Sequence, residues 1–170
     1  MTRPMHAMLD FETQSLKHNA ALISCGIALF TSDGKIHDIY YCNMIPHKSA
    51  HVCERTLQWW SEQSCEAKEL LNHCKLPFEQ AIQEITKFLS RAEYLWSHGV
   101  ASDVIWLESA VEMAGIEMPI SYRQYRCFRT LMALKPESMR FEPTTPHYAL
   151  DDAIAQALTL TAAYGAAIDT

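Results

Sequence analysis

Apolar and polar positions alternate over residues 5–12, and a longer apolar run, "AALISCGIALFT" at 20–31, is followed after "SDGK" by "IHDIYYCNMI". A period of two marks a strand with one buried face, and Asp33-Gly34 between the second and third runs is a strong hairpin signal. Three antiparallel strands are expected to open the fold. Beyond Pro46 the period changes. Thr56 is placed to cap a helix through "LQWWSEQSCEAKELLNHC" that Pro77 ends, and Phe78, Ala81, Ile82, Ile85, Phe88 and Leu89 recur at helical spacing on one face. "EYLWSH" at 93–98 reads as a short buried strand closed by Gly99, "SDVIWLESAVEMAG" as a helix capped by Ser102 and stopped at Gly115, and residues 150–163 as a last helix. "YRCFRTLM" fits either strand or helix. Hairpin strands first, then strands alternating with helices, predict an α/β mixed sheet covered by helices.

The length, 170 residues, suits one core and is short for two, so residues 1–170 are expected to form a single domain. A hydrophobic fraction of 49% with 20% charged residues is that of an ordinary globular chain. No run approaches the roughly 18 apolar residues of a membrane span, and the first residues lack an export signal. A cytoplasmic protein with no membrane partner is expected. The six cysteines are scattered without a CxxC pair, which favours reduced thiols over a disulfide framework. His51 with Cys53, and His73 with Cys74, match no ordinary zinc-finger spacing. The formal net charge of -6 excludes broad coating of a nucleic-acid backbone but not a local grip supplied by bound cations.

Chemistry enters with "MLDFETQS" at 8–15. On a strand, Asp10 and Glu12 project from one face while Leu9 and Phe11 take the other. Two partly buried carboxylates side by side are costly unless a proton or cation lies between them, and a hard divalent ion is the natural partner. Asp103 follows the strand "EYLWSH" at a helix start, in the crevice beyond a strand's carboxyl end where α/β folds place their chemistry. In "PHYALDDAIAQAL", His147 lies just outside a helix whose first turn carries Asp151 and Asp152. If all were helical, His147 and Asp152 would point about 140° apart, whereas a loop-borne histidine is free of that constraint.

These residues carry a resemblance. "DFET", "HGVASDVIWL" and "HYALDD" resemble, in order, the three motifs of the DEDDh (DnaQ-like) 3′-to-5′ exonucleases, and "TLQWWSEQS" and "RTL" resemble the small exoribonuclease-like branch of phages, prophages and some bacteria. The motifs span residues 10–152. The resemblance implies a ribonuclease H-like fold, antiparallel hairpin strands followed by parallel ones. It also implies a 3′-to-5′ exonuclease using two divalent cations, Mg²⁺ or Mn²⁺, to release nucleoside 5′-monophosphates from RNA or single-stranded DNA 3′ ends. Asp10, Glu12, Asp103 and Asp152 match the metal-binding acids and His147 the general base, the five-residue spacing selecting Asp152 over Asp151. Ser102 departs from the pattern, which usually has an aromatic residue there. A homodimer follows by the same analogy alone.

Contacts to nucleic acid are expected from Thr13, Trp59, Trp60, His98 and Arg129. Trp59 and Trp60 point about 100° apart on a helix, so one belongs to the core and the other is available to stack on a base, a contact worth ~1–3 kcal/mol. Arg123, Arg126 and Arg129 alternate with Tyr122, Tyr125 and Phe128, a pattern shared by phosphate-contacting edges and by surface arginines packed on rings. Two rivals share the fold: a non-catalytic nucleic-acid-binding module and a ribonuclease H-type endonuclease.

Overall fold

A computed structural model describes residues 3–169. The elements in chain order are β1 His6–Thr13, β2 Leu22–Phe30, β3 Ile36–Met44, α1 Glu54–Ser61, α2 Cys65–Leu70, β4 Lys75–Leu76, α3 Phe78–Leu89, β5 Tyr94–Ser97, α4 Ile105–Ala114, β6 Tyr125–Cys127, α5 Phe128–Met132 and α6 Ala149–Tyr164. The strands form one sheet in the order β4-β3-β2-β1-β5-β6. β1, β2 and β3 are antiparallel neighbours, while β4, β5 and β6 add in parallel. This is the mixed sheet that the alternation predicts, with β1 near its centre.

Successive β1 side chains enter different cores. Ala7, Leu9 and Phe11 pack with α3 and α4 through Ile82, Ile85, Leu107 and Val111. Met8 packs on the other face with Phe128, Ala153, Ala157 and Leu160 of α5 and α6. Two helical layers thus sandwich the sheet, each burying an apolar face that the sequence period already specifies.

Local chemistry departs from expectation in two places and resolves an open reading in a third. The helix expected after Thr56 is two helices: Cys53, not Thr56, precedes α1, and the Ser64 hydroxyl accepts from the Ala67 N–H to start α2. A serine cap inside an amphipathic stretch ends one helix and begins another. Ser102 is no N-cap, because Val100–Val104 is already wound as a π-helical turn and its hydroxyl instead donates toward the Gly99 carbonyl (2.8 Å) and the Asp103 carboxylate (3.2 Å). "YRCFRTLM" is strand and then helix, changing at Phe128.

Gly26 fixes the distance between sheet and α6. It pairs with Asp10 across β1 and β2, and a Cβ there would overlap the Ala149–Leu150 peptide. The first turn of α6 therefore rests on bare backbone beside Asp10. No helix among the described residues is long and apolar enough to cross a membrane.

Candidate active site

Asp10 and Glu12 continue the Met8 face of β1, so both carboxylates emerge under α6. β5 pairs with β1 only as far as Leu9, which leaves the next N–H on that edge, Phe11, without a strand partner. Asp103 takes it: its Oδ1 accepts from Phe11 N at 3.2 Å, placing a third carboxylate between the first two along the chain. The π-helical turn after β5 delivers this side chain, which is only 4% exposed. Such turns carry one residue more than an α-turn and re-aim what they hold.

α6 supplies the fourth acid. Asp152 lies in its first turns, and its Oδ2 accepts from His147 N at 2.9 Å. His147 has φ 66°, a left-handed conformation uncommon for a residue with a Cβ. That reversal and the hydrogen bond hold its ring against the acids. Donor atoms of Glu12, His147 and Asp152 all lie within 4.8 Å of one another. Neighbouring Asp151 turns away, its Oδ2 accepting from Thr145 N at 2.9 Å.

Burial dominates the electrostatics of the four acids. Burial, then the charges of Asp103 and Asp152, pushes Asp10 well above the usual carboxylate range, and the Gln156 amide offsets part of this. Burial, then Asp10, Asp152 and Asp103, does the same to Glu12. Burial lifts Asp103 to about 6 against the pull of the Phe11 N–H, and it lifts Asp152 against the His147 N–H. Among the described residues no Lys or Arg forms an ion pair with any of the four. An all-oxygen donor set of this charge suits hard divalent cations.

A cleft of about 640 Å³ opens beside Glu12, lined by Thr13, His51, Arg55, Trp59 and Trp106 among others. The two tryptophans divide as expected. Trp60 is 7% exposed and its indole N–H donates to the Thr13 carbonyl at 2.8 Å, whereas Trp59 is 40% exposed and meets the His147 ring edge-on, centroids 4.8 Å apart. The Thr13 hydroxyl donates to the Ser15 carbonyl at 2.7 Å, and Ser15 Oγ lies 2.8 Å from His51 Nδ1. His98 and Arg129 are not in the lining of this cleft; they sit together just beyond β5, where the Arg129 N–H donates to the His98 carbonyl at 3.0 Å. Burial, followed by the charges of Arg129 and Arg140, lowers the His98 pKa. Arg123 and Arg126 pack on the rings of Tyr122 and Tyr94, so two of the three spaced arginines serve as ring partners.

Sequence reasoning missed Gln156 and Arg55, weighed His51 only as a zinc ligand, and put Thr13 ahead of Ser15 in "TQS". Gln156 is one helical turn beyond Asp152 and so shares its face, a spacing that could have flagged it. His51 reaches Ser15 only through the fold. Neither His51 with Cys53 nor His73 with Cys74 belongs to a metal-sized donor cluster among the described residues.

Solved structures of similar fold include exonucleases. Exonuclease I of E. coli, in complex with a dA16 oligonucleotide, superimposes with TM-score 0.73 at 10% identity over 98% of this chain and 42% of that one. The nuclease domain of 3′hExo, a DEDDh family member bound to rAMP, gives 0.64 at 12% identity over 94% and 90%. A 3′-exonuclease recognising the histone mRNA stem-loop gives 0.67 at 11% identity over 95% and 81%. The fold is thus that of the ribonuclease H-like DEDDh exonucleases, while this chain spans about two fifths of exonuclease I. No curated protein sequence matches significantly. The family model described as the 3′-5′ exoribonuclease Rv2179c-like domain matches residues 5–164. With that match running from β1 to the end of α6, the chain belongs to the Rv2179c-like 3′-5′ exoribonuclease domain family.

Proposed function

We propose that this chain is a metal-dependent 3′-to-5′ exonuclease, one domain over residues 1–170, that hydrolyses terminal phosphodiester bonds of RNA or single-stranded DNA and releases nucleoside 5′-monophosphates. The observation that carries this is the meeting of Asp10, Glu12, Asp103 and Asp152, from three distant segments, with His147 beside an open cleft. Asp10, Glu12, Asp103 and Asp152 would hold two divalent cations, Mg²⁺ or Mn²⁺, which when bound supply an acidified water and charge neutralisation at the leaving 3′ oxygen. The remaining steps belong to the chain. His147, held by its own N–H to Asp152 and by the edge of Trp59, accepts the proton of the attacking water, a task suited to imidazole near neutral pH. Trp59, exposed in the cleft wall, offers its face to a terminal base, and Thr13 and Trp60 brace that wall from behind.

Incubation of 5′-labelled RNA and DNA oligomers with Mn²⁺ or Mg²⁺ tests the proposal. Ladders shortening from the 3′ end and mononucleotide products are expected. Retention of the oligomer without cleavage would instead identify a binding module, and cutting of a circular single strand an endonuclease.

A further inference from the structure

From the far end of the cleft we infer that the site reads the terminal base: His51 Nε2–H and the Arg55 guanidinium donate to the keto oxygen of guanine or uracil, so that ends carrying these bases are held in preference to adenine and cytosine. The inference rests on the proposed exonuclease activity and adds the substrate preference of its cleft. Glu12 stands at the metal end, and Ser15 is three residues further along the chain, at most about 10 Å away. The sugar bonded to the scissile phosphate occupies the near part of this span. The base then lies beside Trp59 with its edge toward His51 and Arg55.

Ser15 fixes what His51 offers. Its side chain is fully buried, and its oxygen accepts from the Lys17 N–H at 3.1 Å. The hydroxyl proton still needs an acceptor, and His51 Nδ1, 2.8 Å away, is the one within reach among the described residues. The imidazole proton is therefore on Nε2, on the side of the ring away from Ser15, where it has no partner among the described residues. Arg55 lies one turn before Trp59 on α1, so both project from the same face of that helix. Its guanidinium forms no ion pair among the described residues, where Glu12 supplies the one carboxylate of the lining. Lys17 adds a second cation to the same end.

Bases differ in what they present to such a wall. Guanine shows the O6 and N7 acceptors and uracil O4, whereas adenine and cytosine carry an amino group, itself a donor, at the corresponding position. Two donors facing an amino group leave an N–H unpaired, and Phe11, Trp59 and Trp106 make the surrounding wall apolar, which sharpens that penalty. The Trp106 indole N–H offers no compensation to either kind of base, because it already donates to the Lys17 carbonyl at 2.8 Å.

Calorimetry of the full chain with Mn²⁺ and nucleoside 5′-monophosphates tests the reading without requiring hydrolysis. GMP is expected to bind about tenfold more tightly than AMP, and UMP than CMP, the scale of a good bidentate contact. IMP, which keeps O6 and N7 but lacks the 2-amino group, should match GMP. Arg55→Met and His51→Phe should each bring the ratio of GMP to AMP affinity toward one. Equal affinities in the wild type, or a ratio unchanged in both variants, overturn the inference, and the wild-type series does not depend on any variant folding. Initial trimming rates on oligomers that differ only in the 3′-terminal base should follow the same order. A chain that trims all four ends and binds GMP and AMP equally loses only the base preference. One that ranks the monophosphates but trims no oligomer loses only the proposed activity.

Discussion

Gln156 Nε2 donates to Asp10 Oδ1 at 3.0 Å, joining α6 to the central strand across 146 residues of sequence. The bond engages one carboxylate oxygen and leaves the other for a cation, and Gln156 Oε1 is buried without a partner among the described residues. Gln156→Leu removes the donor while preserving bulk. Mn²⁺ affinity is expected to fall by about 10-fold to 100-fold, as for other groups that orient a metal ligand. Calorimetry with Mn²⁺ beside trimming rates on an RNA oligomer measures both effects.

Asp10→Asn should abolish trimming and yet stabilise the metal-free protein at pH 7. Burial and mutual repulsion raise the site acids, Asp103 to about 6, above unfolded values near 4. The folded state then binds more protons than the unfolded one between those limits, so this part of the stability is present at low pH and declines as pH rises through the folded values. Buried His6, whose pKa is lowered, works in the opposite sense as pH falls, and comparing wild type with Asp10→Asn cancels it. Urea unfolding with chelator at pH 5 and pH 7 should show the variant's advantage only at the higher pH. Saturating Mn²⁺ should reverse the order.

His147→Ala is expected to lower kcat by about 10²-fold to 10⁴-fold, the usual range for a lost general base. Rapid-quench rates for both proteins check this.

Trp59 and Trp60 should separate binding from stability. Trp59→Ala removes an exposed ring and is expected to raise KM through loss of a stacking contact of ~1–3 kcal/mol, with little change in melting temperature. Trp60→Phe keeps the ring but leaves the buried Thr13 carbonyl without its donor, at a cost of about 1–3 kcal/mol to stability. Steady-state kinetics and thermal melts on both variants make the comparison.

Gly26→Ala tests the seating of α6 on the sheet. The added methyl meets the Ala149–Leu150 peptide, which is backbone and cannot rotate away. Overpacking of this kind costs about 1–3 kcal/mol or more. Since α6 carries Asp152 and Gln156, activity should fall alongside stability, and a melt combined with a Mn²⁺ titration would record both.

Much of this architecture is visible in the chain because a single residue's neighbours decide it. The Leu9, Asp10, Phe11, Glu12 alternation alone puts both acids on one face, and the core assignments of Met8 and Leu9 agree. Asp33-Gly34 closes its hairpin, and Gly115 stops α4 with φ 67°. What stays hidden depends on contacts across the fold. The Phe11 N–H becomes available to Asp103 only because β5 ends opposite Leu9, and His51 meets Ser15 only once β1 and the segment before α1 are neighbours. Ser64 lies inside a longer amphipathic run, so its cap of α2 shows only in the fold. The π-helical turn has no sequence period of its own.

That turn sets a constraint on lineage as well as on shape. Deleting one residue between Val100 and Val104 would turn it into an ordinary α-turn and, because the extra residue is absorbed within the turn, leave Leu107 and Val111 near their places. What would be lost is the aim of the Asp103 carboxylate at the Phe11 amide. Chains built on this frame should therefore drift in loop length almost anywhere before they change length here.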